Sequence, residues 1–316
     1  MTSEAALIAF TPTEDDSASR FGQLFPNHSP SQRAKDGRIG TPKRTYRRTS
    51  PDTATARTVA ETECPLIECR DLAHTYHTRL GTQITAIADI TLSIDASEFV
   101  CLLGPSGCGK TTLLNMIAGF LAPTAGTLRL NGEDICGPDP DRGVVFQDYS
   151  LFPWLTVESN IAYGLRMTGM SAARRKAAVG ALLDLVGLPH IGAQYPFELS
   201  GGMKQRVAIA RALATDPSVL LMDEPFAALD ALTRESLQRQ LLDIKARTQK
   251  TILFVTHNIS EAIFLASRIV VLSSRPGRIV EDFRPWADFQ PRKRTSPEFN
   301  RLYERLAQAI GVEGTE

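Results

Sequence analysis

Gly104-Pro105-Ser106-Gly107-Cys108-Gly109-Lys110-Thr111 fits the pattern GxxxxGK[ST] at every position. Phe99-Val100-Cys101-Leu102-Leu103 stands directly before it, an unbroken apolar run of strand length, as expected of a strand covered on both faces. After it the spacing predicts a helix from Lys110 to about Gly119. A glycine-rich turn between a buried strand and a helix start is a phosphate cradle. Its glycines let backbone N–H groups turn inward where a side chain would intrude. The helix N-terminus adds its partial positive charge. Lys110 is placed to reach the β- and γ-phosphates of a nucleotide, and the Thr111 hydroxyl to ligate Mg²⁺.

Further along, Val219-Leu220-Leu221-Met222-Asp223-Glu224 reads as a buried strand with two carboxylates at its C-terminal end. In an open α/β sheet that end is where ligands bind. Asp223 can hold Mg²⁺ through its water shell, and Glu224 can polarise an attacking water as general base. Solvated acids at an ordinary strand end are the plainer reading, and the phosphate loop in the same chain weighs against it. A third element is Leu199-Ser200-Gly201-Gly202-Met203-Lys204-Gln205-Arg206. Ser200 reads as the N-cap of a helix running to about Ala214. Gly201 and Gly202 permit close approach by another backbone, so this helix end forms a second anion site.

The remaining pattern is that of an α/β protein. Leu66–Tyr76 and Ala88–Ile94 alternate apolar and polar residues, as half-buried antiparallel strands do. Thr127–Leu130 and Gly143–Phe146 read as further strands. A mostly helical stretch from about Val157 to Ala214 follows, with loops near Gly187–Ser200. Strand and helix then alternate through Val219–Met222, Ala231–Arg247, Thr251–Val255, Ile259–Ala266 and Arg268–Ser273. Such alternation implies a parallel sheet with helices on its faces, carrying a helical insertion. No internal repeat is visible, so the chain holds one such unit.

Composition bounds the rest. Thirty-five Lys and Arg balance 35 Asp and Glu, which argues against a dedicated nucleic-acid binder. No stretch approaches the roughly 20 uncharged apolar residues of a membrane-spanning helix, and no secretory leader opens the chain. Cys64, Cys69, Cys101, Cys108 and Cys136 are scattered, with no CxxC pair, and read as reduced thiols rather than as disulfides or a zinc site. Residues 1–63 are rich in Ser, Thr, Pro and charge, with a basic cluster at Arg33, Lys35, Arg38, Lys43, Arg44, Arg47 and Arg48. They read as a disordered tail, either a solvated leader or a segment attracted to anionic lipid. Near the C-terminus, Phe299, Leu302, Tyr303, Leu306 and Ile310 share one face of a helix bounded by Pro297 and Gly311. That helix is expected to dock on its own chain or on a dimer partner.

The element around Ser200 resembles the signature sequence of ABC ATPases, and the other motifs of that family follow in order. Gln147 is similar to the Q-loop glutamine that contacts Mg²⁺ and the lytic water. Asp230 matches the D-loop, and His257 the switch histidine that contacts the γ-phosphate. Tyr76 matches the aromatic residue that stacks on adenine, and Gly104 through Thr111, with Thr112, the residues that hold the ATP phosphates. The resemblance spans Pro65 to about Phe283. It implies a P-loop NTPase core of the ABC type, with an antiparallel β subdomain and an inserted helical subdomain at about 148–205. The cassette would occupy residues 64–284, and 285–316 would form a C-terminal extension.

Within the family the chain is similar to the ATP-binding subunits of importers for nitrate, sulfonates and taurine. Gly143–Asp148, Leu151–Val157, Asn160-Ile161-Ala162 and Ser273–Arg278 carry this likeness. It implies ATP and Mg²⁺ as ligands and a head-to-tail homodimer in which Ser200, Gly201 and Gly202 meet the ATP of the partner copy. Two transmembrane permease subunits, an external substrate-binding protein and a peripheral place on the cytoplasmic face of the cell membrane are also implied. Leu151, Phe152, Pro153 and Trp154, large groups in a loop, are the expected permease contact. Two alternatives remain: a soluble ABC ATPase acting on nucleic acid or ribosomes, and an importer ATPase for another cargo.

Overall fold

The computed structural model describes residues 65–79, 81–286 and 293–311. The basic tail, Cys64 and the chain end beyond Gly311 lie outside the described residues. Strands β1 (Ile67–His77) and β2 (Gln83–Ile94) pair antiparallel. β4 (Ala125–Leu130) pairs with the other edge of β1, and the short β5 (Glu133–Asp134) closes a four-stranded antiparallel sheet. The second strand is longer than the alternation in Ala88–Ile94 predicts: it begins at Gln83, and the adjacent Ala86 and Ile87 are both buried, which breaks the alternation in its first half.

The second sheet runs in the order β10 (Ile279–Phe283), β9 (Arg268–Leu272), β3 (Phe99–Leu103), β8 (Thr251–Thr256), β7 (Val219–Asp223), β6 (Arg142–Val145). All neighbours are parallel except β10, which pairs antiparallel with β9. This edge strand was not expected from sequence: Ile279-Val280-Glu281-Asp282-Phe283 is too polar for a buried strand, and only pairing with β9 fixes it.

Alternate residues of the central strands point into two cores. Phe99, Cys101 and Leu103 of β3 join Leu220, Met222, Ile252, Phe254, Ile269 and Val271 in one, with the helices. Val100 and Leu102 join Leu221, Leu253, Val255 and Val270 in the other, with the antiparallel sheet. Helix α1 (Lys110–Ala118) belongs to the second core and stops at Gly119, which adopts the left-handed conformation at φ 82°.

Helices α2 (Val157–Met167), α3 (Ala172–Leu185) and α4 (Gly201–Leu213) pack together on the first core. Each begins on a hydroxyl cap: Thr156, Ser171 and Ser200 accept from the N–H three residues on. α5 (Ala231–Thr248) and α6 (Ile259–Leu265) start on Asp230 and Asn258 in the same way. The C-terminal helix α7 (Pro297–Ala309) starts on Ser296 with Pro297 in its first turn, and packs on α6 of its own chain. Phe299 and Leu306 are buried and Leu302 and Ile310 half-buried, but Tyr303 is 44% exposed and falls off the docked face. Among the described residues no helix is long and apolar enough to cross a membrane.

Candidate functional site

The parallel strands deliver their functional side chains at one edge of the sheet, the carboxyl ends. β3 runs into the phosphate loop, β7 ends on Asp223, β8 leads through Thr256 to His257, and β6 leads to Gln147. The loop is shaped around its glycines. Gly109 sits at φ 100°, and a Cβ there would lie 2.4 Å from Ile87 Cγ2. A Cβ on Gly104 would lie 2.8 Å from both Cys108 Sγ and the Leu272 carbonyl oxygen. The Lys110 ammonium donates to the Gly104 and Pro105 carbonyls at 2.8 and 2.9 Å, which holds the loop closed beneath the phosphate position.

Thr111 Oγ1 donates to Asp223 Oδ1 at 3.1 Å, joining the start of α1 to the end of β7. Burial, the largest influence on Asp223, pushes its carboxyl above the ordinary range; the neighbouring Glu224 adds to this, while the Thr111 hydrogen bond and Lys110 oppose it. Glu224 adopts φ 43°, a left-handed conformation rare for such a side chain, and its N–H donates to the Val255 carbonyl at 3.0 Å. That turn brings Glu224 Oε2 to 3.0 Å from His257 Nδ1. Tyr76, 41% exposed, is tied by its hydroxyl to Thr112 Oγ1 at 3.2 Å. Tyr76, Ser106, Gly107, Lys110, Thr111 and Glu224 line one open depression of about 210 Å³.

Other expected site residues stand apart in the single chain. Ser200 caps α4, accepting from the Met203 N–H at 3.3 Å. The close approach made by Gly202 is to a side chain of its own chain, since a Cβ there would meet Thr233 Cγ2 of α5 at 2.6 Å. Gly201 is less enclosed, with the Tyr149 hydroxyl the nearest group. Asp230 accepts from the Thr233 N–H at 3.0 Å, and this bond is the chief cause of its lowered pKa. Gln147 is exposed, two residues beyond Val145, whose strand partner is Met222. The loop after it is pinned to α4 by Arg211, which donates to the Ser150 and Tyr149 carbonyls at 2.6 and 3.0 Å.

Two neighbours of the site escape sequence reasoning. Arg275 lines the same depression and donates through Nε to the Gly107 carbonyl at 3.3 Å. Ala86 lines it from β2. The only sequence signal was the run Ser273–Arg278, read as a mark of kinship and not of position. A larger depression of about 450 Å³ surrounds Glu133 to Arg142, beside Gly119 at the other end of α1. Its size does not outweigh the chemistry gathered at the phosphate loop. Among the described residues no group of three or more His, Cys, Asp or Glu could hold a metal ion by itself.

A phosphate loop on a parallel sheet, an acidic strand end, a Glu–His pair and a Ser-Gly-Gly helix start on an inserted helical block together define an ATP-binding cassette. The chain belongs to the ABC transporter family, whose pattern matches residues 87–227. It is 46% identical over 258 residues to the nitrate import ATP-binding protein NrtD of Synechocystis sp., covering 79% of this chain and 97% of that one. It is 52% identical over 209 residues to the taurine import ATP-binding protein TauB of Roseobacter denitrificans, covering 66% and 78%. A dimeric structure of the ATP-binding cassette MJ0796 in a post-hydrolysis state bound to ADP and Pi superposes with a TM-score of 0.61 at 32% identity, covering 69% of this chain and 98% of that one. This chain is therefore an ABC-type ATPase that binds ATP.

Proposed function

We propose that this chain is the ATP-hydrolysing subunit of an importer for a small sulfur- or nitrogen-containing oxyanion, with taurine, aliphatic sulfonates and nitrate as the candidate cargo. The observation that carries the catalytic half is the Glu224–His257 pair, 3.0 Å apart beside the phosphate loop. The cargo half rests on kinship with relatives named for nitrate and taurine import.

Gly104 to Thr112 hold the ATP phosphates, with Lys110 at the β- and γ-phosphates, and Tyr76 stacks on the adenine. Glu224 polarises the lytic water as general base. His257, holding the carboxylate through Nδ1, fixes its direction and meets the γ-phosphate. Thr111 and Asp223 are hard oxygen donors already within 3.1 Å of each other, a donor set that suits Mg²⁺, with Gln147 completing it. Mg²⁺ neutralises charge on the β- and γ-phosphate oxygens when bound.

Ser200, Gly201, Gly202 and Asp230 do not line the depression at their own chain's phosphate loop. A head-to-tail homodimer gives them a role, because each ATP then sits between the loop of one copy and the signature helix of the other. ATP holds such a dimer closed and hydrolysis releases it, a two-state switch driven by the γ-phosphate. Two permease subunits take up the motion at the cytoplasmic face of the membrane, and an external binding protein supplies cargo. Uptake of labelled taurine, an alkanesulfonate and nitrate by cells lacking this protein tests the cargo. Loss of at least one of these is expected. Normal uptake of all three, with failure of a sugar or metal instead, would overturn the cargo while leaving the ATPase intact.

A further inference from the structure

A second cavity lies at the opposite edge of the parallel sheet. Its walls come from Phe99 at the start of β3, Leu242 and Ala246 on the last turns of α5, and Leu265 at the end of α6. It encloses about 340 Å³, within the range of small-ligand sites. The polar lining is almost entirely spent. Ser97 Oγ donates to the Gln249 carbonyl at 2.6 Å, and Gln249 Nε2 to the Ala246 carbonyl at 2.7 Å. Ser267 Oγ accepts from the Phe99 N–H at 2.9 Å and donates to the Phe99 carbonyl at 3.1 Å.

Lys245 is the exception. It lines the cavity and is only 9% exposed. No described residue forms an ion pair or a side-chain hydrogen bond with its ammonium. By contrast Lys250, five residues on, pairs with Asp216 at 2.6 Å. The stem of Lys245 is buried while its ammonium keeps contact with solvent, and an anion entering the cavity would supply the counter-charge that this ammonium lacks. Burial alone pushes the Lys245 pKa down, with no carboxylate acting on it.

We propose that this cavity binds a small amphipathic monoanion, a carboxylate or sulfonate on an apolar body, with its head group on Lys245 and its body against Phe99, Leu242 and Leu265. The site is separate from the nucleotide: Phe99 and Leu103 stand at opposite ends of β3, and only Leu103 adjoins the phosphate loop.

Isothermal titration calorimetry of the full chain with octanoate, octane-1-sulfonate, octan-1-ol and octylammonium tests the assignment. At least one of the two anions is expected to bind one per chain, about tenfold or more tighter than the alcohol, with the ammonium weaker still. Preference between the anions identifies the head group. Saturating ATP should leave this binding unchanged. Lys245→Met keeps the length and apolar character of the stem and should remove the advantage of the anion over the alcohol. Ala246→Phe, which narrows the cavity from the next position of α5 without touching the charge, should weaken anion and alcohol alike while ATP binding persists. Octanol binding as tightly as both anions, or wild-type anion affinity in either variant, would overturn the proposal; if Lys245→Met does not fold, Ala246→Phe decides it.

Discussion

The Thr256 hydroxyl donates to Glu261 Oε2 at 2.7 Å, from the residue directly before His257. Glu261 Oε1 accepts from Gln238 Nε2 at 3.1 Å, and Gln238 Oε1 in turn accepts from Arg294. A buried carboxylate thus ties the segment carrying His257 to α5 and to the chain just ahead of α7. Burial, the chief influence, raises the pKa of Glu261, while Thr256, Arg234, His257 and Gln238 act against that rise.

Thr256→Val keeps the shape of the side chain and removes this donor. It should destabilise the protein by about 1–3 kcal/mol, the effect of leaving a buried acceptor short of a partner. It should also lower kcat, with KM for ATP little changed, because His257 loses its anchor. Urea denaturation and steady-state ATPase assays check both. Unchanged values in both would mean that the hydrogen bond holds nothing in place.

Glu224→Gln should keep ATP binding, slow hydrolysis by about a hundredfold or more, and trap an ATP-bound dimer visible by size-exclusion chromatography. Lys110→Ala should instead weaken ATP binding, since it removes the cation that closes the loop and that is proposed to meet the phosphates. Hydrolysis at the wild-type rate by the Glu224 variant would remove that residue from the role of base.

Gly109→Ala tests the shape of the loop. The new methyl would be forced against Ile87 Cγ2 and the Ala86 carbonyl at a backbone angle that alanine rarely adopts. Nucleotide affinity, measured with a fluorescent ATP analogue, should fall by about tenfold or more, even where circular dichroism shows a folded chain. Wild-type affinity would show that the loop has room to adjust.

Trp154→Ala tests the proposed contact with a permease. Leu151 packs on the helical core, whereas Trp154 is 70% exposed and lies against the Phe152 ring, with centroids 5.6 Å apart. Buried Asn160 braces the loop: its Nδ2 lies 3.0–3.1 Å from the Phe152, Leu155 and Thr156 carbonyls, which share its two hydrogens, and its Oδ1 accepts from the Phe152 N–H at 2.8 Å. Transport should therefore be lost while the isolated subunit keeps its ATPase rate. Normal uptake by the variant would move the contact elsewhere.

Leu306→Asp places a charge at a position with no exposure and should cost about 3 kcal/mol or more. Tyr303→Asp, on the outer face of the same helix, should stay within about 0.5 kcal/mol. Equal effects of the two on thermal unfolding would contradict the docked orientation of α7.

The sheet and the nucleotide loop were legible because their signals are local. β3 and the start of α1 lie where the apolar run and the GK pair put them, Ser200 caps its helix as expected, and the helices expected from Ala231 and Ile259 begin at those residues. What was not legible depends on distant pairing. Arg275 reaches Gly107 across 168 residues, and nothing in the Ser273–Arg278 run announces that partner. β10 exists as a strand only through β9. Gly202 announced only that another backbone could come close; that its missing side chain also makes room for Thr233 of α5 depends on a contact across 31 residues. Tyr303 shares a helical period with Phe299 and Leu306, but α6 covers too narrow a stripe to reach it.

β3 is a party wall. Phe99, Cys101 and Leu103 belong to one core, and Val100 and Leu102 to the other, so five consecutive residues are held from both sides. Neither half can melt and leave the other standing, because the strand that loosens is the floor of its neighbour. Despite having two hydrophobic cores, the described region should therefore unfold in a single cooperative transition by calorimetry, with calorimetric and van't Hoff enthalpies in agreement.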